Sequence, residues 1–244
     1  MWGLYLIGLV AYIPQNPVQA YLSLTLKRIG FSTFDSNMLS IPSAVLQIIL
    51  MLALSRSSEY FGERSFHCLF GEFWSLPLLA AMLALPNGGR EWGRFTITTL
   101  ISGYPYFHPI VSAWISENTF DVKKRAITAA TYNVIVQVGS VIASRKYPPY
   151  RRWRFGIVRL TETKTEIYRD NDKPYYFTGN KVLIAICAFS MVVFVAQREY
   201  LRYLNRQKEK KWNDMTPEEK VAYQSDQVAR EGEGNKRLDF RFKY

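Results

Sequence analysis

The chain has 244 residues, 48% of them hydrophobic, and carries a formal net charge of +11 at neutral pH. A basic chain of this size suggests a nucleic-acid partner, but seven of its basic residues fall between Arg145 and Lys164 against one acid, Glu162. Over half of the excess charge therefore belongs to one segment between two apolar stretches, which argues against nucleic-acid binding. Cys68 and Cys187 lie in different apolar stretches without paired spacing and read as buried small hydrophobes, and His67 and His108 lack ligand-spaced partners. With no phosphate loop or nucleophile elbow either, no metal and no cofactor is expected.

Six apolar stretches fill most of the chain, at roughly 2–26, 38–54, 66–85, 95–114, 126–143 and 182–196. A bilayer core about 30 Å thick needs about 20 apolar residues of helix, and a series of six such stretches does not fit a soluble domain. The expected fold is all-α, a polytopic membrane bundle of six transmembrane helices. Met1 leads straight into the first stretch without a basic region or a small-residue cleavage site, so no signal peptide is expected.

In chain order, the first stretch is broken by Pro14 and Pro17, and such breaks in membrane helices often face a cavity. Gly30 suits a left-handed helix end, and Ser32, Thr33 or Asp35 can open the second helix, with Pro42 expected in about its first turn. A loop of mixed charge, 55–64, leads to the third stretch, which stops at Pro86-Asn87-Gly88-Gly89. The fourth has an aromatic, proline-broken centre, Tyr104-Pro105-Tyr106-Phe107-His108-Pro109. Lys123-Lys124-Arg125 precede the fifth, and the sixth runs into a charged tail. In that tail Thr216-Pro217-Glu218-Glu219 reads as a capping box opening a short helix to about Val228, while the composition of 230–244 suggests disorder. With the tail cytoplasmic, the loops after the second and fourth stretches are positive-inside, and only the segment after Ala143 violates the rule.

Polar groups at lipid depth usually face the bundle interior or a water-filled pathway. The candidates are Gln15 and Asn16 in the first stretch, Gln47 in the second, Tyr104, Tyr106 and His108 in the fourth, and Asn133 and Gln137, one turn apart, in the fifth. Amides, phenols and an imidazole can bind a small polar solute but are poor tools for covalent catalysis. No carboxylate pair is seen at depth, so the chain is not expected to be an enzyme. His108 is taken as the candidate for proton transfer.

Several blocks carry a family resemblance: Tyr12-Ile13-Pro14-Gln15, Gly30-Phe31-Ser32-Thr33-Phe34, Asn37-Met38-Leu39-Ser40-Ile41-Pro42, Ser102-Gly103-Tyr104-Pro105-Tyr106, Thr131-Tyr132-Asn133 and Ile167-Tyr168-Arg169-Asp170-Asn171-Asp172-Lys173-Pro174. Together they resemble the second half of fungal allantoate-permease-like transporters, in the anion:cation symporter branch of the major facilitator superfamily. The resemblance implies inverted three-helix repeats with a solute site near the midplane and alternating access. It implies that residues 1–197 form the C-terminal six-helix half, that 198–244 form a cytoplasmic tail, and that an N-terminal half is the missing partner. It also implies proton-coupled uptake of small organic anions, such as allantoate, other ureides, vitamins or short peptides, at the plasma membrane. Glu59, Gly62 and Arg64 resemble the superfamily's acidic–glycine–basic loop, degenerate here at Tyr60 and Glu63.

Residues 145–165 interrupt the family pattern with neither span hydrophobicity nor turn chemistry, and the working hypothesis is a translated intron. A transcript that keeps this stretch as its dominant form would sink it. The alternative to a transporter half is a non-transporting membrane remnant. A membrane-embedded enzyme is the third reading and has no catalytic cluster behind it.

Overall fold

A computed structural model describes residues 2–19, 22, 26, 31–85, 91–144, 177–226 and 233–244. The insert at 145–165, the turn at 86–90 and the Gly30 cap lie outside the described residues. The elements are α1 (Trp2–Val10), α2 (Thr33–Phe61), α3 (Ser65–Ala84), α4 (Glu91–Ser102), α5 (His108–Glu117), α6 (Val122–Ser144), α7 (Phe177–Asn213) and α8 (Pro217–Ser225), followed by a 3-10 turn at Gly234–Lys236. The described secondary structure is all helical.

Three helices, α2, α3 and α7, are long and apolar enough to cross a bilayer. The other three expected spans do not form single apolar helices, and each departure has a cause. The first stretch leaves α1 at Val10, passes through a turn over 11–15 around Pro14, and is helical again at 16–19. The fourth is divided into α4 and α5 by the non-helical segment 103–107, where Pro105 lacks the N–H that would continue the helix. Helix α6 is long enough, but Lys124, Arg125, Asn133, Gln137 and Ser140 make it more polar than α2 and α3.

Helix α2 also begins earlier than its apolar stretch. The Ser32 hydroxyl accepts the Asp35 N–H at 3.1 Å, which caps the helix at Thr33 and places Pro42 in the interior rather than the first turn. At the other end Gly62 takes φ +65°, the left-handed conformation that ends the helix, and its N–H bonds to the Glu59 carbonyl.

The burial pattern of α2 is inverted relative to a helix in water. Phe34, Ile41, Val45, Ile48, Ile49 and Leu52 are exposed, whereas its buried residues are Ser36, Ser43, Leu54 and Ser58. Exposed valines and isoleucines on α6 and Val182, Phe189, Val192 and Val195 on α7 extend the apolar surface. Contiguous exposed apolar area on this scale suits lipid, and small residues inside let helices approach. The chain is a helical membrane protein.

The interior is built on two pairings, α3 against α7 and α1 against α6. Gly139 sits where an added Cβ would lie 2.3 Å from the Leu9 carbonyl oxygen, so the α1–α6 contact is backbone to backbone. Trp114, Phe107, Tyr132, Phe194 and Leu4 fill the shared core without measurable exposure beyond 1%.

Helix α7 has 37 residues, about 56 Å at 1.5 Å rise, and so projects well past a bilayer core. Most of the charged residues after Gln197 are exposed on this helical extension, whereas Lys208 is buried and donates to the Asn235 and Phe240 carbonyls. Thr216 opens α8 with both capping-box hydrogen bonds. Residues 233–244, where composition suggested disorder, lie against the bundle end. Asn118 bonds both backbone groups of Lys243, Asn205 bonds both backbone groups of Phe242, and the Trp114 Nε1–H donates to the Lys243 carbonyl at 2.8 Å.

Candidate functional site

The breaks in the first and fourth stretches meet. Tyr12, in the turn after α1, donates or accepts a 2.7 Å hydroxyl–hydroxyl bond with Tyr132 on α6. Its ring stacks on Phe107 with centroids 5.1 Å apart, and it lies 5.8 Å from both Tyr106 and His108. His108 stacks on Tyr106 at 5.7 Å and an interplanar angle of 8°, lies 5.1 Å from Tyr132, and has Asn133 within hydrogen-bonding reach. Proline-broken backbone thus delivers the aromatics of three elements to one place, and an aromatic cluster of this kind offers stacking faces with hydroxyl and imidazole edges.

Of the sequence-derived candidates, Tyr104, Tyr106, His108 and Asn133 belong to this cluster. Gln137 follows Asn133 on the same exposed edge of α6, and Asn16 joins that edge by donating to the Ser140 hydroxyl at 3.0 Å. Tyr106 and His108 are half-buried, whereas Tyr104 is 2% exposed and supports Tyr106 from behind. Gln15 does not join them. It is fully buried and points away from Asn16, towards α3, where its amide donates to the Ser75 hydroxyl at 3.1 Å and to the Glu72 carboxylate at 3.5 Å.

Glu72 is the residue that sequence reasoning missed. A single acid in the middle of an apolar stretch forms no carboxylate pair, although Gly71-Glu72-Phe73 is plain in the sequence. It is fully buried and also receives the Cys187 thiol at 3.0 Å. Cys187 therefore packs as more than a small hydrophobe, and both cysteines are free thiols. Tyr12 and Tyr132 were visible within the sequence blocks but not as a bonded pair, because nothing in the local pattern registers α1 against α6.

The loop motif sits at the end of the bundle that carries the tail. Arg64 donates to both oxygens of Glu117 at the end of α5, through Nε at 3.1 Å and through Nη2, and its Nη1 reaches the Ser58 hydroxyl at 3.2 Å. The Glu117 hydrogen bond, against the opposing effect of burial, raises the Arg64 guanidinium above its ordinary range. Glu63 bonds Arg198 on α7 at 3.0 Å. Glu59 pairs only locally with Arg56, both exposed, and so adds little. The loop thus ties α2 and α3 to α5 and α7 through Arg64 and Glu63. Among the described residues no cluster of His, Cys, Asp and Glu could hold a metal ion.

Neither a family model nor a solved structure matches the chain. Curated proteins do. The chain is 35% identical over 242 residues to the Saccharomyces cerevisiae protein described as uncharacterized transporter YIL166C, covering 99% of this chain and 40% of that one. It is 36% identical over 238 residues to putative uncharacterized transporter YOL162W of the same yeast, covering 97% of this chain and 99% of that one. A more distant likeness, 24% over 196 residues, is to the major facilitator-type transporter hxnP of Emericella nidulans, covering 78% of this chain and 34% of that protein. The chain thus spans less than half of the first relative and nearly all of the second. It belongs to the family of membrane transporters that the two Saccharomyces proteins represent.

Proposed function

We propose that the chain forms the C-terminal six-span half of a major facilitator-type symporter that takes up small organic anions, of the allantoate and ureide kind, together with protons across the plasma membrane. In this reading the four broken or polar segments complete the three missing spans, since proline breaks and amides are tolerated where they line a cavity. The observation that carries the reading is the exposed amide edge of α6. Asn133 and Gln137 are exposed near the middle of the 23-residue α6, where a spanning helix would find no hydrogen bond in lipid, and His108, Tyr106 and Asn16 continue the same edge. Such an edge fits the wall of a water-filled path, closed by a second half of the kind the longer yeast relative has room for. Asn16, Tyr106, His108, Asn133 and Gln137 are the proposed pathway residues, with Gln15 and Tyr104 behind them.

Uptake of labelled allantoate and related anions in cells lacking their own carriers tests this. The chain should be assayed with and without the upstream region of its gene. Accumulation that a protonophore abolishes and that His108→Ala plus Asn133→Ala reduces at least about tenfold is expected, since two lost polar contacts are worth about 1.4 kcal/mol or more. Failure of any small anion to accumulate in either form contradicts the proposal.

A further inference from the structure

The interior cluster around Glu72 contains an arrangement that ordinary packing leaves unexplained. Glu72 Oε2 receives two neutral donors, the Gln15 amide and the Cys187 thiol, and the Ser190 hydroxyl lies close to the carboxylate, while Glu72 Oε1 has no hydrogen-bond partner. Gln15 Oε1 is buried without a donor as well. Two orphan oxygens therefore belong to two side chains that already touch. The titratable groups facing Glu72 are Cys68 on its own helix, Cys187 on α7 and Tyr104 beside α5, and none of them brings a positive charge. Among the described residues no cation forms an ion pair with it.

An ionised carboxylate without water or a counter-charge carries a penalty of several kcal/mol or more, which uptake of a proton removes. A buried oxygen acceptor without a donor carries its own cost, on the order of 1–3 kcal/mol. One proton answers both problems, because a carboxylic acid supplies the O–H that Gln15 Oε1 lacks. A metal cation fits worse, since an amide N–H and a thiol already point their hydrogens at the same carboxylate.

We propose that Glu72 is a proton-binding site, and that its proton fastens the break after α1 to the α3–α7 pair through Gln15. Gln15 lies in the turn over 11–15, next to Asn16 on the amide edge and close in sequence to Tyr12 in the aromatic cluster. Loss of the proton leaves a charge at the α3–α7 interface and removes the O–H from Gln15 Oε1, so the tie to the break is reduced from two hydrogen bonds to the Gln15 N–H donation alone when Glu72 ionises. The assignment of this proton to the coupling ion rests on the transporter reading above; the proton-binding site itself does not.

Infrared difference spectroscopy of the purified chain in lipid at pH 7, in H2O against D2O, reads the site without any solute. A protonated-carboxyl stretch that shifts on deuteration is expected in the wild type and is lost in Glu72→Gln. Absence of that band in the wild type, or its survival in Glu72→Gln, overturns the proposal. Should Glu72→Gln fail to fold, Glu72→Asp must move the band, and an unmoved band overturns the proposal equally. Anion uptake driven by a pH gradient is read alongside, and Glu72→Gln should lose it. A wild type that shows the band but no uptake of any anion contradicts the transporter reading and leaves the proton site standing.

Discussion

Arg64 and Glu72 lie on or beside one helix, about 12 Å apart at 1.5 Å rise per residue, and the chain treats their charges in opposite ways. At the tail-side end Arg64 is bonded by both Glu117 oxygens and by Ser58, with Glu63 and Arg198 forming a second ion pair nearby. Two turns deeper, Glu72 is surrounded by neutral groups, the Gln15 amide, the Cys187 thiol and the Ser190 hydroxyl, without a cation. Near water, charges are paired and the pairs tie helix ends together. At depth the same solution would need a second buried ion, and a single acid with neutral donors replaces it. The end of the bundle is thus built for fixed connections and the interior for a change of state.

Four substitutions sharpen this contrast, in order of expected effect. Trp114→Ala removes the largest fully buried side chain among the described residues and the indole donor that holds the Lys243 carbonyl. It should cost about 3–5 kcal/mol, read as a large fall in thermal unfolding temperature in detergent, with faster proteolysis of residues 233–244. Gly139→Ala places a methyl against the Leu9 carbonyl and should cost about 1–3 kcal/mol by forcing α1 from α6, whereas a similar change at the uncrowded Gly62 acts only through its φ of +65°. Arg64→Ala leaves Glu117 without its bidentate partner and should cost about 1–3 kcal/mol, with Arg64→Lys recovering only part of that. Tyr132→Phe deletes one hydroxyl of the 2.7 Å pair and should cost about 0.5–1.5 kcal/mol while leaving the aromatic stack in place. An Arg64→Ala effect confined to the interior, or a Tyr132→Phe effect that loosens residues 233–244, would break the division between the two regions.

The sequence made visible those features that local chemistry determines. Ser32 and the Thr216 capping box mark helix starts through side chains within three residues of the backbone groups they serve, whereas Gly62, read as part of the 55–64 loop, ends α2 through its backbone alone. Pro14 and Pro105 mark the breaks because a missing N–H acts on its own helix. Pro42 misled because the first turn of α2 lies outside its apolar stretch, in Thr33-Phe34-Asp35. The docking of 233–244 was hidden for a different reason. Asn118 and Asn205 hold backbone groups more than thirty residues away, and such contacts leave no periodicity in a polar segment. At the candidate site the aromatic and amide residues were legible by type, but burial separates Gln15 and Tyr104 from the exposed edge, and only the fold reveals which side of a break each residue takes.

In the proposed transporter the amide edge of α6 meets water while the rest of its exposed surface meets lipid. Single cysteines at Asn133 and Gln137, compared with cysteines at Val138 and Ile142, test it in native membranes. Each control lies five residues on from one test position, roughly 140° further round the helix. Cys68 and Cys187 are buried and give the background. Rapid labelling by a charged thiol reagent at 133 and 137, with 138 and 142 at background, is the predicted result. Equal labelling at all four positions, or none at 133 and 137, would contradict it.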